Sequence, residues 1–235
     1  MLENLRHTYR ALRTTRRCYS AHSAASVFSD SRTAEFLAAA VSPASIPQLH
    51  GLPEITVTGR ANVGKSTLLN AVLGRAKLLN VSKRAGRTQS LNFFRVGAQP
   101  GKLVVVDAPG YGARGRQEWG DLFNHYLRER KQLRRVFLLF SAKHGLNEVD
   151  RAMLRLLNEE CQATGGTRYT LQAILTKADT VLDMKDGPSH IRSIQKDIFD
   201  TAPTCLPAIV TTASKHPHFG IEEVRQSIAD ACGLA

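Results

Sequence analysis

Short unbroken apolar runs alternate along this chain with stretches in which apolar residues return every three or four positions. The runs EITVTG (54–59), LNFFRV (91–96), LVVVD (103–107), VFLLF (136–140), LQAIL (171–175) and PAIV (207–210) have the length of strands, and several carry the near-continuous Val/Leu/Ile/Phe content of strands buried on both faces. Between them, Leu68, Leu69, Val72 and Leu73 form a helical stripe, and IEEVRQSIAD (221–230) reads as a helix near the end of the chain. Val149, Met153, Leu156 and Leu157 make another stripe, read as the buried face of a covering helix. Trp119, Phe123 and Tyr126 also fall at helical spacing, which reads as core packing rather than as a base-stacking platform. Six strands alternating with helices predict an α/β fold, a doubly wound and mostly parallel sheet with helices on both faces. One pair is expected to be antiparallel, because LNFFRVGAQPGKLVVVD leaves only a Gln-Pro-Gly turn between its strands.

Composition changes this picture mainly at the N-terminus. The chain has 235 residues, 43% of them hydrophobic, which fits one globular domain with an extension. No window approaches the ~20 consecutive apolar residues of a membrane span, so no stable membrane insertion is expected. Cys18, Cys161, Cys205 and Cys232 are scattered without a CxxC pair, which argues for reduced thiols. Residues 1–29 hold five arginines and a single acid, Glu3, among many Ser, Thr and Ala, a composition like that of a mitochondrial presequence. Leu2, Leu5, Tyr9 and Leu12 lie beside Arg6, Arg10, Arg13 and Arg17 as adjacent stripes of a basic amphipathic helix. Arg17-Cys18-Tyr19-Ser20-Ala21 resembles a matrix-peptidase site, with the cut between Tyr19 and Ser20. A basic tail on a cytosolic or bacterial protein is the alternative. The expected organisation is a presequence over 1–19, a linker over 20–50 with one short helix in TAEFLAAAV, and the domain over 51–235, in the mitochondrial matrix.

Candidate chemistry begins with GRANVGKS. Gly59, Gly64, Lys65 and Ser66 satisfy the phosphate-loop pattern, with a strand before and a helix after, so Gly59, Arg60, Ala61, Asn62, Val63, Gly64, Lys65, Ser66 and Thr67 are expected to hold the phosphates. Lys65 is expected to reach the terminal phosphate oxygens and Ser66 to ligate Mg²⁺. LVVVDAPG delivers Asp107 to a strand end as a second Mg²⁺ contact, followed by Ala108, Pro109 and Gly110, whose N–H can meet a γ-phosphate. Gly86, Arg87, Thr88, Gln89 and Ser90 form the intervening loop, in which Thr88 is the expected third Mg²⁺ ligand, so the catalytic candidates are Lys65, Thr88 and Gly110.

The base is indicated further on. Thr176-Lys177-Ala178-Asp179 ends a strand with a carboxylate able to accept both N1–H and N2–H of guanine, a contact adenine cannot make. Ala213 and Ser214 follow the last strand, where a backbone N–H is expected at guanine O6. The ligands implied are GTP or GDP and Mg²⁺. Tyr111 follows DAPG where many GTPases carry a water-orienting glutamine, so slow turnover is expected. Asn62 resembles the asparagine of K⁺-activated GTPases; stabilising the loop turn is the other reading of that residue.

These residues, with LPEITVTGRANVGKSTLLNAVL, the GRTQ turn, DAPGYG, Tyr126-Leu127-x-x-Arg130, HGLNEVD and TKAD, make the chain resemble the EngB/YihA family over about residues 35–232. The resemblance implies a Ras-like P-loop G domain that binds GTP and Mg²⁺ and assists late assembly of the large ribosomal subunit, here expected to be mitochondrial. Where the family usually reads GRSNVGKS, DTPGYG and an acidic fourth-strand end, this chain has Ala61, Ala108 and Ser141. A GTP-gated module that binds ribosome or RNA with little turnover is the alternative function. The net charge of +12 divides as +3 over 1–50, +10 over 51–150 and −1 over 151–235. Arg75, Lys77, Lys83, Arg84, Arg87, Arg95, Arg114 and Arg116 are therefore expected to face rRNA, whereas Arg128, Lys131 and Arg135 read as a solvated helix face.

Overall fold

A computed structural model of the chain describes residues 27–28, 34–75, 78–79, 90–112, 117–214 and 217–234. Seven strands, β1 (Glu35–Ala40), β2 (Glu54–Gly59), β3 (Leu91–Val96), β4 (Leu103–Asp107), β5 (Leu133–Ser141), β6 (Thr170–Thr176) and β7 (Cys205–Val210), form one sheet in the order β1-β3-β4-β2-β5-β6-β7. β2, β4, β5, β6 and β7 pair in parallel, and β3 is antiparallel to both β4 and β1. The expected hairpin is therefore present. Helix α1 (Lys65–Val72) and helix α5 (Ile221–Ala231) cover one face; α2 (Gln117–Glu129), α3 (Glu148–Ala163) and α4 (Gly187–Thr201) cover the other.

Two expectations change. The alanine-rich stretch read as a short helix in a linker is β1, a seventh strand, registered from Glu35 opposite Arg95 to Ala40 opposite Leu91. Alanine favours helix in isolation, but the open edge of β3 offers backbone partners and a place to bury Ala40, and tertiary context overrides propensity. In α3 the inward stripe is Asp150, Leu154, Leu157, Asn158 and Cys161, while Val149 is 43% and Leu156 42% exposed. The helix is thus rotated from the phase its apolar residues indicate.

The central strands explain the site's position. In β5, Val136, Leu138 and Phe140 face the α2–α4 layer and Phe137 and Leu139 face α1 and α5, which is why this run is apolar at every position. β2 lies between β4 and β5, and the chain crosses from it to opposite sides of the sheet, leaving a crevice at its C-terminal end. The far end of β2 is held by charge: fully buried Glu54 accepts from Tyr126 Oη at 2.9 Å and from Arg130 Nη2 at 2.6 Å. Tyr126 on α2 and Arg130, the residue just past the end of that helix, whose N–H donates to the Tyr126 carbonyl at 3.0 Å, both reach this one carboxylate. Arg135, expected on a helix face, lies on β5 and donates to Thr170 Oγ1 and to the carbonyl of Ser227. Arg225 of α5 caps the C-terminal end of α1, donating to the carbonyls of Val72 at 2.8 Å and Ala71 at 3.1 Å.

Candidate functional site

The loop between β2 and α1 is shaped by residues that accept unusual backbone geometry or close approach. Gly64 caps α1 at φ 108° and Asn62 stands at φ 61°, the left-handed region that glycine and asparagine tolerate best. Asn62 therefore makes the turn. Gly59 is fixed by contact: a Cβ there would lie 2.9 Å from the Leu139 carbonyl oxygen and 2.9 Å from Val63 Cγ1. Ser66 and Thr67 occupy the first turn of α1, where free N–H groups and the helix dipole favour an anion.

Asp107 ends β4, buried, and its carboxylate pairs with the Lys65 ammonium. The cation expected at phosphate and the anion expected at metal thus lie side by side. The donor set, a Ser66 hydroxyl and one carboxylate beside the loop, suits Mg²⁺, which takes few protein ligands and keeps phosphate oxygens and water. Among the described residues no group of three or more His, Cys, Asp and Glu side chains gathers as a metal site. Ala108 donates its N–H to the Val57 carbonyl, and Thr58 Oγ1 donates to the Pro109 carbonyl, which ties the DAPG segment to β2. Gly110 sits against the phosphate loop: a Cβ on it would lie 3.0 Å from Gly59 O and 3.4 Å from Ala61 N. Gly86, Arg87, Thr88 and Gln89 lie outside the described residues; Ser90 directs its hydroxyl to Asn92 Oδ1 at 2.9 Å.

At the other end of the crevice, Thr176, Lys177, Ala178 and Asp179 follow β6. Thr176 Oγ1 donates to the carbonyl of Val63 at 2.6 Å, and Lys177, at φ 58°, donates through Nζ to the carbonyl of Asn62 at 2.6 Å. The base-reading segment is therefore bonded to the phosphate loop itself. Ala178 N–H reaches the Thr211 carbonyl at 3.1 Å, which brings the end of β7 alongside. A cavity of about 150 Å³ opens between Gly64, Thr67, Leu68, Thr176, Lys177, Asp179, Thr180, Thr211, Ala213 and Ser214. The sequence pattern placed seven of these ten at the nucleotide; Leu68 enters from α1, Thr180 as the residue after TKAD, and Thr211 because β7 lies beside β6.

One cluster joins the phosphate end to a covering helix. Asp150, fully buried at the start of α3, accepts from Tyr111 Oη at 3.0 Å through Oδ1 and from Arg60 Nε at 3.0 Å through Oδ2. Asn147 and Asp150 cap the helix reciprocally, Asp150 N–H to Asn147 Oδ1 at 2.9 Å and Asn147 N–H to Asp150 Oδ2 at 3.0 Å. Burial, followed by the charge of Asp150, pushes the Tyr111 phenol well above its usual range, so it remains a donor.

With phosphate loop, paired lysine and aspartate, and base pocket in one crevice, the relatives are informative. The sequence model of the 50S ribosome-binding GTPase family matches residues 54–177. A GTP-binding protein EngB of Ruegeria is 36% identical over 83% of this chain and 86% of its own length. The chain belongs to the EngB family. An EngB of Rhodospirillum rubrum is 44% identical over 63% of this chain and 64% of its own length. The chain is thus a GTP-binding protein of the GTPase type. Among solved structures, Era of Aquifex aeolicus bound to GDP and AlF₄⁻ superposes with TM-score 0.56 at 18% identity, covering 77% of this chain and 57% of that one. Era bound to MgGDPNP and a segment of 16S ribosomal RNA superposes with TM-score 0.54 at 18% identity, covering 77% and 56%. These two confirm the Ras-like fold.

Proposed function

We propose that this EngB-family chain hydrolyses GTP slowly and assists assembly of the large ribosomal subunit, working in the mitochondrial matrix on the mitochondrial ribosome. The observation that carries the reading is the union of the Lys65–Asp107 pair and the TKAD pocket in one crevice, bonded to each other through the phosphate loop. Lys65 and the loop N–H groups would bind the phosphates, Asp179 the guanine, and Ser66, Thr88 and Asp107 would hold Mg²⁺, which when bound neutralises charge on the β- and γ-phosphates. Slow turnover follows from Tyr111: its hydroxyl is committed to Asp150, and it cannot orient water as a glutamine does.

The mitochondrial part rests on the arginine-rich, acid-poor start, which lies outside the described residues. The ribosomal part rests on the family and on the basic middle of the chain. Sedimentation of the tagged protein from isolated mitochondria tests both: co-migration with large-subunit particles in GTP analogue and not in GDP is expected. Migration at the top of the gradient in both nucleotides overturns the ribosomal reading, and a full-length protein in the cytosol overturns the localisation. N-terminal sequencing of the organelle form should find Ser20 or a neighbour first. Assays in KCl and NaCl at equal ionic strength measure whether Asn62 acts beyond the turn it makes.

A further inference from the structure

We infer that Tyr111, Asp150 and Arg60 form a latch that positions Gly110 at the phosphate loop, so that the chain discriminates triphosphate from diphosphate partly through helix α3. The inference rests on the nucleotide reading above. Four observations carry it. Tyr111 and Arg60 pair backbone to backbone in a parallel bridge, so the segment after Gly110 lies along the loop rather than away from it. Their side chains then converge on a single carboxylate, one on each oxygen. That carboxylate cannot swing, because Asn147 and Asp150 hold each other as the N-terminal cap of α3. Finally, Gly110, bonded to Tyr111, stands directly against the loop, where a Cβ on it would lie 3.0 Å from the Gly59 carbonyl oxygen and 3.4 Å from the Ala61 amide nitrogen.

A buried charge with this set of partners does more than cap a helix. Capping requires only the two bonds with Asn147, and a neutral Asn or Ser at 150 could serve that purpose at lower desolvation cost. The carboxylate instead supplies acceptors for groups from two nucleotide segments. On the nucleotide reading the Gly110 N–H would meet a γ-phosphate, which a diphosphate lacks. Releasing the latch should therefore weaken triphosphate binding and spare diphosphate binding. Tyr111 and Asp150 are positioning residues, which act on the phosphate loop through Arg60 and on Gly110 through the chain.

The test measures affinities of the full chain for GDP and for a non-hydrolysable GTP analogue, both with Mg²⁺, in the unsubstituted protein, Tyr111→Phe, Asp150→Asn and the double variant. Tyr111→Phe removes one hydroxyl and keeps the ring, so it is expected to fold as the parent does. It should weaken the analogue about tenfold, the size of one hydrogen bond to a charged group, with GDP affinity within about twofold. Asp150→Asn should act in the same direction, and the double variant should lose less than the product of the single losses, because the two share one bond. An unchanged ratio of the two affinities in Tyr111→Phe, or an equal loss of both, overturns the latch and leaves a merely structural ion cluster. A parent protein that binds neither guanine nucleotide overturns the functional reading and the latch together. Should Asp150→Asn fail to fold, Tyr111→Phe alone decides.

Discussion

On the proposed reading Asp179 would carry the choice of base, because a carboxylate at the wall of this cavity can accept two guanine hydrogens. Replacing it with Asn converts an acceptor into a group suited to xanthine. Asp179→Asn is expected to lower GTP affinity by about 10² or more and to create XTP binding, measured by titration calorimetry. Lys65→Ala is expected to abolish triphosphate binding in the same assay, since no other side chain on the phosphate loop brings an ammonium to Asp107. Residues such as Lys65, Asp107 and Asp179 were legible because each belongs to a short contiguous pattern whose geometry is set by one strand end. Thr211 and Asp150 were not, since the role of each depends on partners brought from distant segments by the sheet.

Helix α2 and the residue after it are tied to the start of β2 through one buried carboxylate. Tyr126 of the helix and Arg130, the residue following its end, both end on Glu54, whose side chain has no exposure, while Arg130 retains 14%. Arg130→Ala leaves that carboxylate buried with one partner fewer and is expected to cost about 3–5 kcal/mol of stability in urea unfolding. Tyr126→Phe, which deletes a single bond to the same charge, should cost about 1.5–3 kcal/mol. Burial, ahead of the Glu54 charge, pushes this phenol well above its usual range, so the bond persists through mildly alkaline pH. Elements with strong apolar continuity, such as β5, could be read directly from the chain. α3 was misphased because Asp150 and Asn158, polar residues that hydrophobicity alone places outside, face inward with bonded partners. β1 was missed because a run of alanines carries no period, and its partner strand lies far along the chain.

At the scale of the whole molecule, charge and thiols make two further expectations. Binding to large-subunit particles should fall steeply from low to physiological salt, as counterion release requires, and should weaken when Lys83, Arg84 and Arg114 become Ala with nucleotide affinity unchanged. Burial raises Cys161 to about 11 and both Cys205 and Cys232 to about 12. These thiols stay protonated at pH 8, so iodoacetamide should label buried Cys161 and Cys205 only after global unfolding and half-buried Cys232 before them, read by mass spectrometry. Among the described residues no helix is long and apolar enough to cross a membrane. A last consequence belongs to β1. A shortened chain beginning at residue 51 would retain the phosphate loop, Asp107 and TKAD, and so every group proposed above to hold nucleotide. It would also strip the cover from β3, whose Phe94 packs edge-on against Phe36, and bare a row of unpaired amides and carbonyls. An uncovered strand of this kind templates addition of a strand from another molecule, so the truncated protein would self-associate while still competent to bind GTP.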